Sequence, residues 1–109
     1  EYGLILTNRA GYLPTKKKID IDSPCNYLMY NMFIDWNGDV LLCCQDWSRK
    51  YKFGNIKETH ILDIWNSKEM NNFRKVLLHG RNINPCSGCD AGGQVYGCNH
   101  RSVYLEKLQ

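Results

Sequence analysis

The chain carries six cysteines, and their spacing is its most informative chemical feature. Cys43 and Cys44 are adjacent, while Cys86 and Cys89 form a C-x-x-C pair. A disulfide between neighbouring residues is strained, and a C-x-x-C pair in a reducing compartment is typical of metal or redox chemistry. The spacing therefore favours metal-binding thiolates over three disulfides. In chain order the cysteines are Cys25, Cys43, Cys44, Cys86, Cys89 and Cys98.

Four of these thiols are placed to meet around one site. Cys25 precedes a predicted hairpin, Cys43 and Cys44 end it so that one of them can take part, and Cys86 and Cys89 offer two sulfurs from one later turn. Gly88 inside that turn lets the backbone curl so that N–H groups face the sulfurs. Four thiolates suit zinc in an all-cysteine site or an iron–sulfur cluster, and the ligand types alone do not choose between them. A single C-x-x-C with two dispersed partners favours the cluster, because zinc ribbons usually use two such pairs.

The elements that must position these ligands begin with a β-hairpin. Two runs rich in strand-forming residues, 32–36 and 39–43, flank an Asn-Gly pair that predicts a type I′ turn. Neighbours on a strand point to opposite faces. Only one of Cys43 and Cys44 can therefore face a given site, and the other is expected in the core as a small buried hydrophobe.

The apolar periodicity then changes to that of a helix. Residues 61–65 predict a short helix, and Ser67 is placed to cap a second one over 68–79. Residues 82–100 form a glycine-rich loop with cysteines, and a helical turn is expected in 101–109. The predicted fold class is small α+β: a β-hairpin followed by short helices and a cysteine-rich C-terminal loop, organised around a metal cluster.

Composition limits the class of function. A length of 109 residues suits one domain, and 43% apolar residues suit a folded chain. The net charge of +3 comes from basic residues that are scattered apart from the run at 16–18, so nucleic-acid binding is not predicted. No stretch approaches the ~20 apolar residues of a membrane span. Since no signal peptide opens the chain either, a cytoplasmic protein without a membrane partner is expected.

One ordered set of residues resembles the SPASM/twitch domain, which follows the catalytic barrel in many radical S-adenosylmethionine enzymes. The resemblance covers about residues 8–90 and depends on the order and spacing of short motifs. These motifs are Asn8-Arg9-Ala10-Gly11, Cys25, Asn37-Gly38, Cys43-Cys44-x-Asp46, Gly54-Asn55-Ile56, Asp63-Ile64-Trp65-Asn66-Ser67, Arg74 and Cys86-x-x-Cys89.

The resemblance implies an auxiliary 4Fe–4S cluster held by the cysteines at the matching positions. The full form of the family has seven cysteines and two clusters, and this chain departs from that pattern after its C-x-x-C pair. A one-cluster form is therefore expected, with Cys44 and Cys98 as alternate ligands. The implied ligands are Cys25, Cys43, Cys86 and Cys89, so that Cys44 is the neighbour expected in the core.

The resemblance also implies how the chain is divided. Residues 1–24 would be an arm or linker from a catalytic barrel, and residues 25–109 the cluster-binding domain. S-adenosylmethionine would bind only in that barrel, in the same full-length chain, so these residues alone should have no catalytic residue and no turnover. The cluster would serve electron transfer or the positioning of a peptide or small-molecule substrate. The alternative is a structural four-cysteine zinc module that mediates binding of a partner.

Other residues are expected to be structural. Cys98 is interpreted as a buried thiol, because free cysteine is among the most buried residue types. Asp46 either hydrogen-bonds the backbone near the cluster or caps a turn, and the sequence leaves both open. Trp36, Trp47 and Trp65 are expected to lie in the core or to shield the cluster.

Overall fold

A computed structural model describes residue 10, residues 24–89, residue 93 and residues 96–108, so the predicted arm over 1–24 lies almost wholly outside it. Within the described part, three antiparallel strands in the order β1-β2-β3 combine with short helices. This arrangement confirms the predicted small α+β class. The elements are α1 (Tyr27–Tyr30), β1 (Phe33–Ile34), β2 (Asp39–Leu41), β3 (Lys52–Asn55), α2 (Ile61–Trp65), α3 (Lys68–Leu77), a 3₁₀ turn (Cys86–Gly88) and α4 (Cys98–Leu108).

The hairpin forms as predicted, but its turn is of another type. β1 pairs with β2, and the Gly38 N–H donates to the Asp35 carbonyl at 2.9 Å. Gly38 has a φ of 92°, whereas Asn37 is not among the residues with positive φ. A type I′ turn needs positive φ at both central residues, so that prediction is wrong. The Asn37 side chain explains the difference, since its Oδ1 accepts the Asp39 N–H at 3.1 Å and holds the chain in a local turn.

The sheet has a third strand that the sequence pattern does not predict. β3 pairs antiparallel with β2 across an irregular register. The Asn55 Nδ2 donates to the Asn37 carbonyl at 3.1 Å and to the Asp39 Oδ1 at 3.0 Å. These bonds fasten the end of β3 to the hairpin turn, although Gly54 weakens the strand signal in the sequence.

Helices α1, α3 and α4 pack against one another and contribute residues to the core. Ser67 caps α3 as predicted, because its Oγ accepts the Met70 N–H at 3.3 Å. Met70, Phe73 and Leu77 form the buried stripe of α3. The expected C-terminal turn is instead the 11-residue helix α4, whose Tyr104 is buried. The main core consists of Leu28, Met29, Val40, Leu42, Ile64, Met70, Phe73, Leu77, Leu78, Cys86 and Tyr104.

The tryptophans do not all behave as expected. Trp36 is 88% exposed and Trp47 is 54% exposed, so neither is a core residue. Trp36 lies in the hairpin turn between β1 and β2. Trp65 does pack against the core. None of the helices in the described residues is long and apolar enough to cross a membrane.

Candidate metal centre

The four predicted ligands come together in the fold. Cys25 lies just before α1, Cys43 in the turn after β2, and Cys86 and Cys89 at the start and the C-cap of the 3₁₀ turn. All four line one apolar cavity, although they come from three separate segments of the chain. All six cysteines are among the described residues, and none of them forms a disulfide.

The segment around Cys25 is fixed by contacts distant in sequence. The Tyr27 N–H points at the Cys25 sulfur. Asn26 is only 1% exposed, and its backbone N–H and its Nδ2 donate to the carbonyls of Gly93 and Tyr96, each at 2.9 Å. These bonds bring the C-terminal loop against Cys25. A Cβ atom on Gly93 would overlap the Cys25 sulfur, so the loop approaches this closely only because residue 93 is glycine.

The segment after Cys43 directs backbone hydrogen-bond donors at the Cys43 sulfur. The N–H groups of Gln45 and Asp46 both point at the Cys43 sulfur. Asp46 is buried, and its Oδ1 accepts the Ser48 hydroxyl at 2.6 Å. The Asp46 side chain therefore stabilises the turn, while the Asp46 backbone N–H donates to the Cys43 sulfur. Of the two roles left open by the sequence, the carboxylate takes the one in the turn, since Oδ1 accepts from Ser48 and the buried Oδ2 has no hydrogen-bond partner among the described residues.

Three of the four thiols, those of Cys25, Cys43 and Cys86, are buried deeply enough to resist ionisation. Burial raises the pKa of Cys43 to about 12 and raises the pKa of Cys25 and Cys86 above the usual value. Thiols of this kind are poor free nucleophiles, because the thiolate is the reactive form. A bound metal centre would supply the positive charge that deprotonates them. The electrostatics therefore suit metal binding better than thiol catalysis.

The donor set fits an iron–sulfur cluster. Four cysteine thiols, N–H groups aimed at sulfurs and low exposure to water are the features that bind such clusters and set their properties. The buried guanidinium of Arg81 also lines the cavity and offers a counter-charge. Within the described part of the chain, no three His, Cys, Asp or Glu side chains are arranged to hold a single metal ion.

The two remaining cysteines lie elsewhere than expected. Cys44 is exposed rather than buried, because β2 ends at Leu41 and strand alternation no longer applies three residues later. Cys98 is also exposed, at the first position of α4. The predictions of buried thiols at these positions are therefore wrong. Neither residue lines the cavity shared by the four ligand candidates.

Sequence reasoning overlooks three residues that shape the site: Asn26, Arg81 and Gly93. Asn26 directly follows the ligand candidate Cys25, and this adjacency is the only feature of the sequence that indicates a role at the site. Arg81 stands five residues before the C-x-x-C pair, in a loop without a motif. Gly93 is one of several glycines in its loop, and only the fold shows which of them touches a ligand.

We expect Gly93→Ala to weaken iron binding about tenfold and so to lower the iron bound per chain, because disturbed contacts around metal ligands typically reduce the affinity by that much. The added methyl group would displace the Cys25 sulfur. Gly88→Ala is the matched control: Gly88 stands between Cys86 and Cys89, but contrary to the sequence expectation its φ is not positive, and nothing lies within 4 Å of the added atom. Iron and sulfide analysis after anaerobic reconstitution checks both variants. Equal iron in Gly93→Ala and the parent would contradict the role of this glycine.

Comparison with known proteins adds two relatives. The chain is 34% identical over 94 residues to an S-adenosyl-L-methionine-dependent 2-deoxy-scyllo-inosamine dehydrogenase of Niallia circulans. The matched region covers 80% of this chain and 36% of that protein. It also resembles the crystal structure of BtrN in complex with AdoMet and 2-DOIA, with a TM-score of 0.71 and 33% identity over 84% of this chain and 37% of that one. The chain thus spans little more than a third of the length of either relative.

A family model gives the assignment. The model of the SPASM iron–sulfur cluster-binding domain matches residues 25–90, which include all four ligand candidates and the elements that position them. The boundary at residue 25 coincides with the first of these cysteines. The chain belongs to the SPASM family of iron–sulfur cluster-binding domains.

Proposed function

We propose that this chain is the auxiliary cluster domain of a longer radical S-adenosylmethionine enzyme. Its ligands for one 4Fe–4S cluster are Cys25, Cys43, Cys86 and Cys89. The observation that carries this proposal is the single buried cavity lined by all four thiols. The N–H groups directed at the sulfurs of Cys25 and Cys43 support it further. S-adenosylmethionine binds in the adjoining barrel of the same full-length chain and not in this domain.

The cluster serves a substrate held beside Cys43. A cleft of about 530 Å³ opens on that side of the domain, and Cys43 lines both this cleft and the buried cavity. Asp46 and an ion pair between Arg49 Nη1 and Asp35 Oδ2, 3.3 Å apart, add polar groups to the cleft wall. A bound cluster supplies a one-electron acceptor at this boundary. The cleft has the volume of a small-molecule site.

The relatives suggest the class of reaction. One is an S-adenosyl-L-methionine-dependent dehydrogenase named for a cyclic amino alcohol. Dehydrogenation of an alcohol removes two electrons, whereas abstraction of one hydrogen atom accounts for only one of them, so an acceptor for the second is needed. We infer that the longer protein oxidises a small hydroxylated molecule and that this domain contributes to electron acceptance and substrate positioning.

Metal and sulfide analysis tests the assignment of the cluster. The chain purified and reconstituted without oxygen should be brown and should contain about four iron and about four sulfide per chain, the content of one 4Fe–4S cluster. The colour should bleach in air. One zinc per chain without sulfide, after native purification, would overturn the proposal in favour of a structural zinc module.

A further inference from the structure

A buried arginine shares the cavity with the four ligand candidates. Arg81 lies in the loop between α3 and the 3₁₀ turn, and only 2% of it is exposed. Its Nη1 donates to the carbonyl of Cys89 at 2.9 Å, in a buried hydrogen bond. This bond fixes the guanidinium against the backbone of a ligand. Arg81 also lines the same cavity as the four thiols.

We propose that Arg81 is a positioning residue that holds a fixed positive charge beside the cluster and thereby raises its reduction potential. The inference rests on the proposed function, since it concerns the cluster assigned there. Nothing in the motif pattern that indicates the ligands includes this residue.

The direction of the effect follows from charge. One-electron reduction, by dithionite for example, adds one negative charge to a cluster that four thiolates already make anionic. A nearby cation stabilises the reduced state more than the oxidised state, and the attraction is strongest where water is excluded. Arginine is suited to this role because its guanidinium stays protonated at any ordinary pH. Burial and fixed charge are also recognised means by which a protein sets the potential of a cluster.

No second charge in the described lining of the cavity competes with that of Arg81. Of the described residues that line this cavity, Arg81 alone has a permanently charged side chain. Asp46 lines the neighbouring cleft instead, and its carboxylate accepts a hydrogen bond from Ser48.

A redox titration followed by electron paramagnetic resonance tests the proposal on the reconstituted chain. Arg81→Gln removes the charge but keeps a donor for the Cys89 carbonyl, Arg81→Met removes both, and Arg81→Lys keeps the charge. The matched control is Arg101→Gln, because Arg101 also donates to a backbone carbonyl, that of Leu78, but does not line the cavity.

We expect Arg81→Gln and Arg81→Met to lower the ratio of reduced to oxidised cluster at a fixed potential about tenfold, a shift of about 59 mV for one electron. Arg81→Lys and Arg101→Gln should titrate close to the parent. Unchanged potentials in both uncharged variants would overturn the proposal.

Loss of the cluster in some variants would also decide whether the charge of Arg81 is what matters. If Arg81→Gln and Arg81→Met lose it but Arg81→Lys keeps it at the parent potential, the charge is required and the proposal stands. If Arg81→Lys also loses it, or shifts as far as Arg81→Gln, the geometry of the guanidinium matters rather than its charge, and the electrostatic account is wrong. An absent cluster in the parent chain would instead refute the proposed function, so the two failures are distinguishable.

Discussion

Replacing Cys43 with alanine is expected to remove most of the iron that the chain binds, whereas replacing Cys44 is expected to leave it nearly unchanged. The Cys43 sulfur lies in the cavity shared with the other three thiols and receives two backbone N–H groups. Cys44 is exposed and lines only the open cleft outside that cavity. The two neighbouring cysteines therefore have different surroundings despite their adjacency.

The expected size of the effect follows from metal-site chemistry. Loss of a contact that only supports a ligand typically lowers metal affinity about 10–100-fold, so loss of the Cys43 ligand should lower it at least as much. The measurement is iron and sulfide per chain after anaerobic reconstitution of Cys43→Ala and Cys44→Ala. The absorbance of the cluster in the visible range gives an independent reading.

Cys98→Ala is the control for a cysteine distant from the site in sequence and exposed on the surface. It should retain the iron of the parent chain. Equal losses in Cys43→Ala and Cys44→Ala would show that Cys44 also binds the cluster. A loss in Cys98→Ala as large as that in Cys43→Ala would mean that the fourth ligand comes from α4.

The sequence predicts which cysteines approach one another, because the hairpin and the C-x-x-C pair are local features. A turn signal brings Cys43 back along the chain, and two residues of spacing place Cys86 and Cys89 together. Strand alternation, however, predicts the wrong environment for Cys44. Alternation applies only inside a strand, and β2 ends at Leu41, where the chain enters a turn.

The contacts that complete the site depend on tertiary structure and leave little trace in the sequence. Asn26 bonds to carbonyls 67 and 70 positions further along the chain, at Gly93 and Tyr96. Arg81 gains its place in the cavity only when α3 and the 3₁₀ turn are folded. The sequence pattern does not predict β3 for a similar reason: the strand contains Gly54, and side-chain hydrogen bonds from Asn55 to the hairpin stabilise it. Such contacts override local propensity.

Arg74 offers the clearest case of a motif residue whose role only the fold explains. Its relative exposure is 0%, and its Nε donates to the Leu28 carbonyl at 2.9 Å. Its Nη1 donates to the Trp65 carbonyl at 2.7 Å. The guanidinium carbon also lies 4.3 Å from the ring centroid of Trp65 and 4.8 Å from that of Tyr104. One side chain of α3 thus joins α1, α2 and α4.

We expect Arg74→Met to destabilise the domain by about 3–5 kcal/mol, because the buried Leu28 carbonyl and the partly buried Trp65 carbonyl lose charged donors that methionine cannot replace. Methionine keeps most of the volume, so a cavity is not the main cause. The stacking on Trp65 and Tyr104 would be lost as well. For a domain of this size the apparent melting temperature should fall by more than about 10 °C.

Thermal unfolding of the cluster-loaded chain without oxygen, followed by circular dichroism at one scan rate, measures this change. Lys75→Met is the matched control, since Lys75 is the next residue of α3 and is exposed. It should change stability by no more than about 0.5 kcal/mol, as exposed substitutions usually do. A midpoint for Arg74→Met equal to that of Lys75→Met would show that the buried guanidinium does not hold the helices together. A large fall with Arg74→Lys as well would locate the effect in the geometry of the guanidinium, because lysine keeps the charge but cannot reach both carbonyls and both rings at once.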